Sequence, residues 1–191
     1  GDDCCSKGNA HKLSSRIGMF NDDMRNGIKG GSDDDTKGYI QGSNFDTYKV
    51  LAGMLGASSD TFGRWAKRPS QCITYASAHD NLTLWDKLLK SNWCCNDYNT
   101  TDTKIIDQSK LSAAFVMMSL GIPFMLAGEE FARTKFGDHN SYRSPDSVNS
   151  IDWTRTIKYK ELVDYYKGLI AIRKKFSLLT QADEEAVHKT Y

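Results

Sequence analysis

The sequence predicts an α/β fold, the carboxyl-side part of a (β/α)8 TIM barrel. Three observations carry this reading. Short apolar runs, polar loops and amphipathic stretches follow one another three times in the order strand, loop, helix, and such alternation implies parallel strands joined by crossover helices. Each apolar run also hands over to a cluster of polar or charged residues, the layout of a barrel whose chemistry sits at the carboxyl ends of its strands. Finally, a closed barrel of this class needs eight such units in about 250 residues, and three units in a chain of 191 residues cannot close.

Residues 1–15 are polar and turn-rich without periodicity and read as a loop leading from an upstream barrel part that the chain lacks. Residues 16–20 read as a short strand of the buried type. Residues 21–31, with Asp22, Asp23, Arg25 and three glycines, read as a long loop that Asp33, Asp34, Asp35 and Gly38 continue. Phe45, Tyr48, Leu51 and Leu55 then recur at helical spacing and end at Gly56, which suits a C-cap. Residues 72–76 form the second strand and lead into His79-Asp80. Asn81 or Thr83 can cap a helix running to about residue 89, with Lys87 and Lys90 closing it where the helix dipole favours positive charge. A polar loop over 91–101 precedes a long helix over 103–120. Residues 121–128 read as a buried strand with Pro123 near its start, where a missing donor is tolerated. Glu129-Glu130 follow, then a loop over 133–155 rich in Gly, Asp, Asn, Ser and Pro. Leu162, Tyr165, Tyr166, Leu169 and Ile170 mark the last helix by their i, i+3, i+4, i+7, i+8 spacing, a stripe that belongs in a core.

The formal charge of +1 and the absence of any Lys/Arg block exclude a nucleic-acid surface and a polybasic membrane contact, so a neutral or weakly charged partner fits better. No stretch approaches the roughly 20 apolar residues of a spanning helix; residues 111–126 are interrupted by Ser119, Gly121 and Pro123. The chain opens on Gly1 without a signal-like segment, and the true amino terminus is expected upstream. Five cysteines, Cys4, Cys5, Cys72, Cys94 and Cys95, are an odd number, and adjacent pairs close poorly into one ring. Reduced thiols are the favoured reading, which leans toward a reducing, cytoplasmic compartment. No zinc-ligand spacing occurs, and His11 is the only histidine near Cys4-Cys5, so no metal site is read there.

Three segments carry a resemblance to a known family. The run Thr74-Tyr75-Ala76-Ser77-Ala78-His79-Asp80-Asn81-Leu82-Thr83-Leu84-Trp85-Asp86 resembles the fourth conserved region of the α-amylase superfamily of glycoside hydrolases, and its second half is similar to that of the type I pullulanases. Arg16-Ile17-Gly18-Met19-Phe20-Asn21-Asp22-Asp23-Met24-Arg25-Asn26-Gly27-Ile28-Lys29-Gly30 resembles the sixth barrel strand and following loop of pullulanases, with Asn26 where the family more often has Asp. Gly121-Ile122-Pro123-Phe124-Met125-Leu126-Ala127-Gly128-Glu129-Glu130-Phe131, then Arg133-Thr134-Lys135, Asn140-Ser141-Tyr142, Ser144-Pro145-Asp146-Ser147-Val148-Asn149 and Ile151-Asp152-Trp153, is similar to the eighth strand and its loop, with His139 at a position where the family usually has Glu or another polar residue.

The resemblance implies roughly strands six to eight of the barrel over residues 16–176, with 177–191 leading into a missing carboxyl-terminal β domain. It implies a retaining hydrolase of α-1,6 branch linkages in pullulan, amylopectin or glycogen-type glucans, with a branched α-glucan as partner and no cofactor; the sequence neither requires nor excludes calcium. Asp80 is implied as transition-state stabiliser, His79 as its companion on the sugar hydroxyls, and Asn81, Arg133, Asn140 and Tyr142 as substrate-binding residues. Asn21 and Asp22 are weaker ligand candidates; Trp85 is expected to pack in the core and Trp93 to be available as a sugar platform. In the family the nucleophile is an Asp after strand four and the acid a Glu after strand five, and both would lie upstream of residue 16. The first Glu of this chain is Glu129, at a position that the resemblance assigns to scaffold and subsite contacts. The chain alone is therefore expected to be inactive, to be unstable, and to need the upstream barrel half. An isoamylase or glycogen-debranching enzyme is the nearest alternative. A noncatalytic glucan-binding protein is an alternative of another class, and a thiol redox or metal protein a remote third.

Overall fold

The computed structural model describes residues 6–93, 97–180 and 187. The strand β2 (Cys72–Thr74) is the middle of a parallel three-stranded sheet, between β1 (Met19–Phe20) and β3 (Ile122–Pro123). Met19 pairs with Cys72 and Phe20 with Ile73 on one side, and Ile73 with Ile122 and Thr74 with Pro123 on the other. Backbone bonds from the N–H of Asn21 to Ile73 O (2.9 Å) and of Phe124 to Thr74 O (2.8 Å) carry the pairing just past β1 and β3. The expected α/β order with parallel strands is present.

The outer strands are shorter and less buried than their apolar sequences suggest. The register places Phe20, Ile73 and Ile122 in one row on one face of the sheet, and Phe20 and Ile122 remain 43 % and 47 % exposed. Cys72 and Thr74 point to the opposite face and are wholly buried. Gly121 is fixed by close approach: a Cβ there would stand 2.5 Å from the Cys72 carbonyl oxygen. Arg173 secures the turn into β3 by donating to the carbonyls of Met117, Ser119 and Gly121.

Helix α1 (Asp22–Lys29) occupies the stretch that the sequence suggested as loop. Asn21 caps it by accepting from Met24 N–H at 3.1 Å, Asp22 and Asp23 lie in its positive first turn, and Met24 and Ile28 one turn apart are fully buried. Helix α2 (Thr47–Met54) forms as expected but turned about its axis: Phe45, Tyr48 and Leu51 face outward, while Val50 and Gly53 are buried. Gly56 follows with φ +63°, where a Cβ would also meet Pro69 at 2.6 Å. Helix α3 (Leu84–Ser91) is capped by Thr83, whose Oγ1 accepts from Asp86 N–H, and not by Asn81. Lys90 lies in its last turn, but Lys87 is buried and donates to the carbonyls of Asp34 (2.7 Å) and Thr36 (2.6 Å).

Helix α4 (Thr103–Met117) starts at the Asp102 cap and ends earlier than expected. The loop after β3 contains two short helices, α5 (Asp146–Asn149) and α6 (Arg155–Lys158), before α7 (Lys160–Lys175). The main core joins Met24 and Ile28 of α1, Trp85, Leu88 and Leu89 of α3, Ile105 and Val116 of α4, and Leu162, Tyr166 and Leu169 of α7. Trp85 packs edge-on against Tyr159 (centroids 5.1 Å apart) and donates to Tyr98 O. Of the stripe expected in the core, Tyr165 and Ile170 stay partly exposed at 36 % and 38 %.

The first fifteen residues include a 3-10 turn at Lys7–Lys12 where a plain loop was expected. Leu178, Leu179 and Val187 pack with Leu55 and Leu120. Cys72 is buried with a free thiol beside Asn21 Nδ2 (3.4 Å), and burial pushes its pKa up to about 12. Cys4, Cys5, Cys94 and Cys95 lie outside the described residues. Among the described residues no helix is long and apolar enough to cross a membrane, and no group of three His, Cys, Asp or Glu is placed to hold a metal ion.

Candidate active-site cleft

The carboxyl ends of all three strands open into one cleft of about 260 Å³, lined by Phe20 and Asp22 after β1, by Arg25 on α1, by Tyr75 and residues 78–81 after β2, and by Phe124 after β3. Its floor is aromatic. Phe20 meets Tyr75 and Phe124 edge to face, with centroids 4.9 and 5.2 Å apart. Its wall is polar: Arg25 Nη1 donates to Tyr75 Oη (2.7 Å), Tyr75 Oη donates to Asp22, and Arg25 pairs with Asp22 at 3.3 Å. Burial, reinforced by the Asp22 carboxylate, pushes the Tyr75 phenol up to about 12, so it stays a neutral donor near neutral pH.

His79 and Asp80 stand on the rim. His79 Nε2 lies 3.5 Å from Asp80 Oδ1, and their side chains are 83 % and 79 % exposed. Exposure of both groups suits contact with an incoming ligand, and it leaves their aim to the backbone. Asn81 supplies part of that backbone control. It adopts φ +65°, and its Nδ2 donates to Asp33 Oδ2 (2.6 Å) while the next N–H, of Leu82, donates to Asp33 Oδ1 (3.0 Å). The Asn81 amide, expected to meet substrate, thus donates to a loop carboxylate 48 residues earlier.

The other expected binding residues are not among those lining this cleft. Asn140 and Tyr142 are exposed on the loop after β3, with Tyr142 under the Arg143 guanidinium at 5.1 Å. Arg133 is engaged elsewhere: its guanidinium donates to the carbonyls of Ala127 (3.0 Å) and Asn149 (2.7 Å), and it lines a second cleft of about 420 Å³ with Phe131, Phe136, Asp146, Asp152 and Arg155. Asn21 is buried as the α1 cap, whereas Asp22 reaches the cleft. Trp93 is exposed at 71 % with φ +58°.

Glu129 and Glu130 are committed internally. Glu129 is buried and accepts from Ser77 Oγ and from Tyr166 Oη (2.8 Å); burial raises its pKa above the usual carboxylate range. Glu130 Oε2 accepts from Gly128 N–H at 3.0 Å. The cleft therefore offers a ligand contacts of three kinds, aromatic faces, a guanidinium and exposed carboxylates.

Arg25, Tyr75 and Phe124 were not singled out by sequence reasoning as site residues. Tyr75 and Phe124 sat within runs read as buried strand, and the i, i+2 alternation that turns Ile73 and Tyr75 to one face is the signal that would have found the former.

No protein-family model matches the chain. The chain is 37% identical to the pullulanase of Bacillus subtilis strain 168 over 87% of its own length and 23% of that protein. It is 29% identical to an isoamylase of a Flavobacterium species over 70% of its own length and 20% of that protein. Among solved structures, the pullulanase of Paenibacillus barengoltzii in complex with maltohexaose and α-cyclodextrin matches it with a TM-score of 0.88 at 37% identity, over 96% of this chain and 28% of that one.

Proposed function

The chain belongs to the pullulanase family, spanning about a quarter of the length of the relatives it matches, and on that premise we propose that it supplies the transition-state side of a debranching active site. In this reading β1, β2 and β3 are strands six to eight of a (β/α)8 barrel, residues 16–176 are its carboxyl-side part, and 177–191 lead toward a further domain. The open face bearing Phe20, Ile73 and Ile122 then turns inward once the remaining strands are in place. The observation that carries the reading is the convergence of all three strand ends on one cleft with His79 and Asp80 free at its rim.

The substrate class follows from the relatives. The Paenibacillus barengoltzii pullulanase binds maltohexaose and α-cyclodextrin, and an α-glucan suits this cleft, whose aromatic floor packs against pyranose rings while Arg25 and Asp22 bond hydroxyls. Cleavage of an α-1,6 linkage with retention needs a nucleophilic carboxylate and a carboxylic acid about 5 Å apart. The family resemblance assigns both to the upstream part of the protein, and in keeping with that Glu129 and Glu130 are held by internal bonds. Asp80 and His79 bind hydroxyls of the sugar at the cleavage point, and the Asp80 contacts tighten as positive charge develops on the ring, which lowers the barrier by several kcal/mol in order of magnitude. Asn140 and Tyr142 extend the contact along the glucan. Arg133 acts as a prop of the loop that carries them, and Asn81 holds the turn.

The test is Asp80→Asn in the longer protein that contains this chain, assayed on pullulan. Turnover is expected to fall by about 100-fold or more with KM changed little; an unchanged kcat removes Asp80 from the mechanism. Glucan retention with no hydrolysis by the unmutated protein would favour a noncatalytic binding protein instead. The Flavobacterium relative supports a second reading, an isoamylase-type enzyme, which hydrolysis confined to glycogen-type branches, with pullulan left intact, would favour.

A further inference from the structure

Among the described residues the His79 and Asp80 side chains pair with each other and stay exposed, yet the backbone beneath them is gripped from two sides. On one side Lys135, only 4 % exposed, sends Nζ to the carbonyl oxygen of His79 at 2.8 Å and to Ser141 Oγ at 2.6 Å. On the other, Ser77 donates to the buried Glu129, which Tyr166 of α7 holds by a second bond at 2.8 Å. Lys135 is itself fixed by Asp86 of α3, whose carboxylate accepts from the N–H groups of Lys135 (2.8 Å) and Gly137 (3.3 Å) and from Thr134 Oγ1. The grip therefore joins both neighbouring helices and the loop after β3 to the three residues that lead into Asp80.

We propose that Lys135 and Glu129 are positioning residues that clamp residues 77–79 from below and so aim Asp80 at the reacting sugar. Burying an ammonium and a carboxylate is costly, and each cost is offset here by two bonds, one of which runs to the turn. An aspartate that stabilises a developing charge must be placed within a fraction of an ångström, and a displacement of about 1 Å costs on the order of 100-fold in rate. The exposed side chain has no packing of its own to supply that accuracy, so the backbone must. The inference rests on the proposed role of Asp80.

The experiment is a set of substitutions in the longer protein containing this chain, with kcat and KM measured on pullulan and folding checked by thermal midpoint. Lys135→Met is expected to lower kcat by about 10- to 100-fold with KM within about twofold, and Lys135→Arg, which can still reach the His79 carbonyl, to recover a large part of that loss. Ser77→Ala, which leaves the Glu129 to Tyr166 bond in place, is expected to lower kcat in the same direction and serves if Lys135→Met fails to fold. The deciding comparison adds Lys135→Met to Asp80→Asn. If the lysine acts only by aiming Asp80, the second change alters the residual rate by less than about twofold. Losses that multiply overturn the inference, as does a kcat unchanged by both Lys135→Met and Ser77→Ala while Asp80→Asn abolishes turnover. An Asp80→Asn protein with normal turnover overturns the functional reading, and the clamp with it.

Discussion

Lys29, on the last turn of α1, is 1 % exposed, and its ammonium is destabilised first by burial and then by Arg25, with Glu129 and Asp33 opposing them. Its pKa falls from 10.5 to about 7. The folded value lies below the unfolded one, so between about pH 7 and 10.5 the unfolded chain binds more protons and stability rises with pH; below about 7 both states are protonated and the penalty is constant. Lys29→Met is expected to flatten the rise in thermal midpoint between pH 7 and 10, though Lys87 and Lys135, also lowered by burial, retain part of the slope. A curve as steep as that of the unmutated protein would show that Lys29 does not carry the effect. Individual residues of the rim were legible because His79-Asp80-Asn81 are contiguous and follow an apolar run. The use of Asn81 was not, since no local pattern announces that Asp33 in a run of three aspartates reaches across 48 residues to bond it. The same holds for Lys87, whose place near a helix end suggests a charge set there by the helix dipole, whereas it is buried and donates to the carbonyls of Asp34 and Thr36.

At the scale of elements, α2 separates periodicity from orientation. Phe45, Tyr48, Leu51 and Leu55 keep helical spacing, yet the helix buries the neighbouring stripe through Val50 and Gly53, where the absence of a side chain on Gly53 lets Met24 of α1 pack close. The larger residues win a hydropathy count, while contact with α1 is decided by shape. Val50→Ala is therefore expected to cost about 1–3 kcal/mol of local stability and Tyr48→Ser less than about 0.5 kcal/mol, read from hydrogen exchange over Thr47–Met54. Equal losses would contradict the observed facing. Helix α1 was missed for a related reason: Gly27 and a dense set of charges suggested a loop, although Asn21, the two following aspartates and the Met24 and Ile28 spacing form a complete helix start.

For the molecule as a whole, strand direction could be read from alternation alone, because parallel strands require crossovers and the crossovers are helices. How far each outer strand extends could not, since Phe20 and Ile122 are apolar yet stay largely exposed, so hydropathy does not mark where pairing stops. Expressed by itself, the chain is expected to self-associate through its two open sheet edges and the apolar row between them, and to release no sugar from pullulan. Size-exclusion chromatography and a reducing-end assay check both; hydrolysis by the isolated chain would mean that its own carboxylates suffice. The thiol of Cys72 adds a consequence of a different sort. It sits at the start of the central strand, covered and held protonated, so an alkylating reagent reaches a thiolate only when that strand parts from its neighbours. The pace of its modification, followed by peptide mass spectrometry, is a clock for the breathing of the sheet, and in the proposed full barrel it should slow.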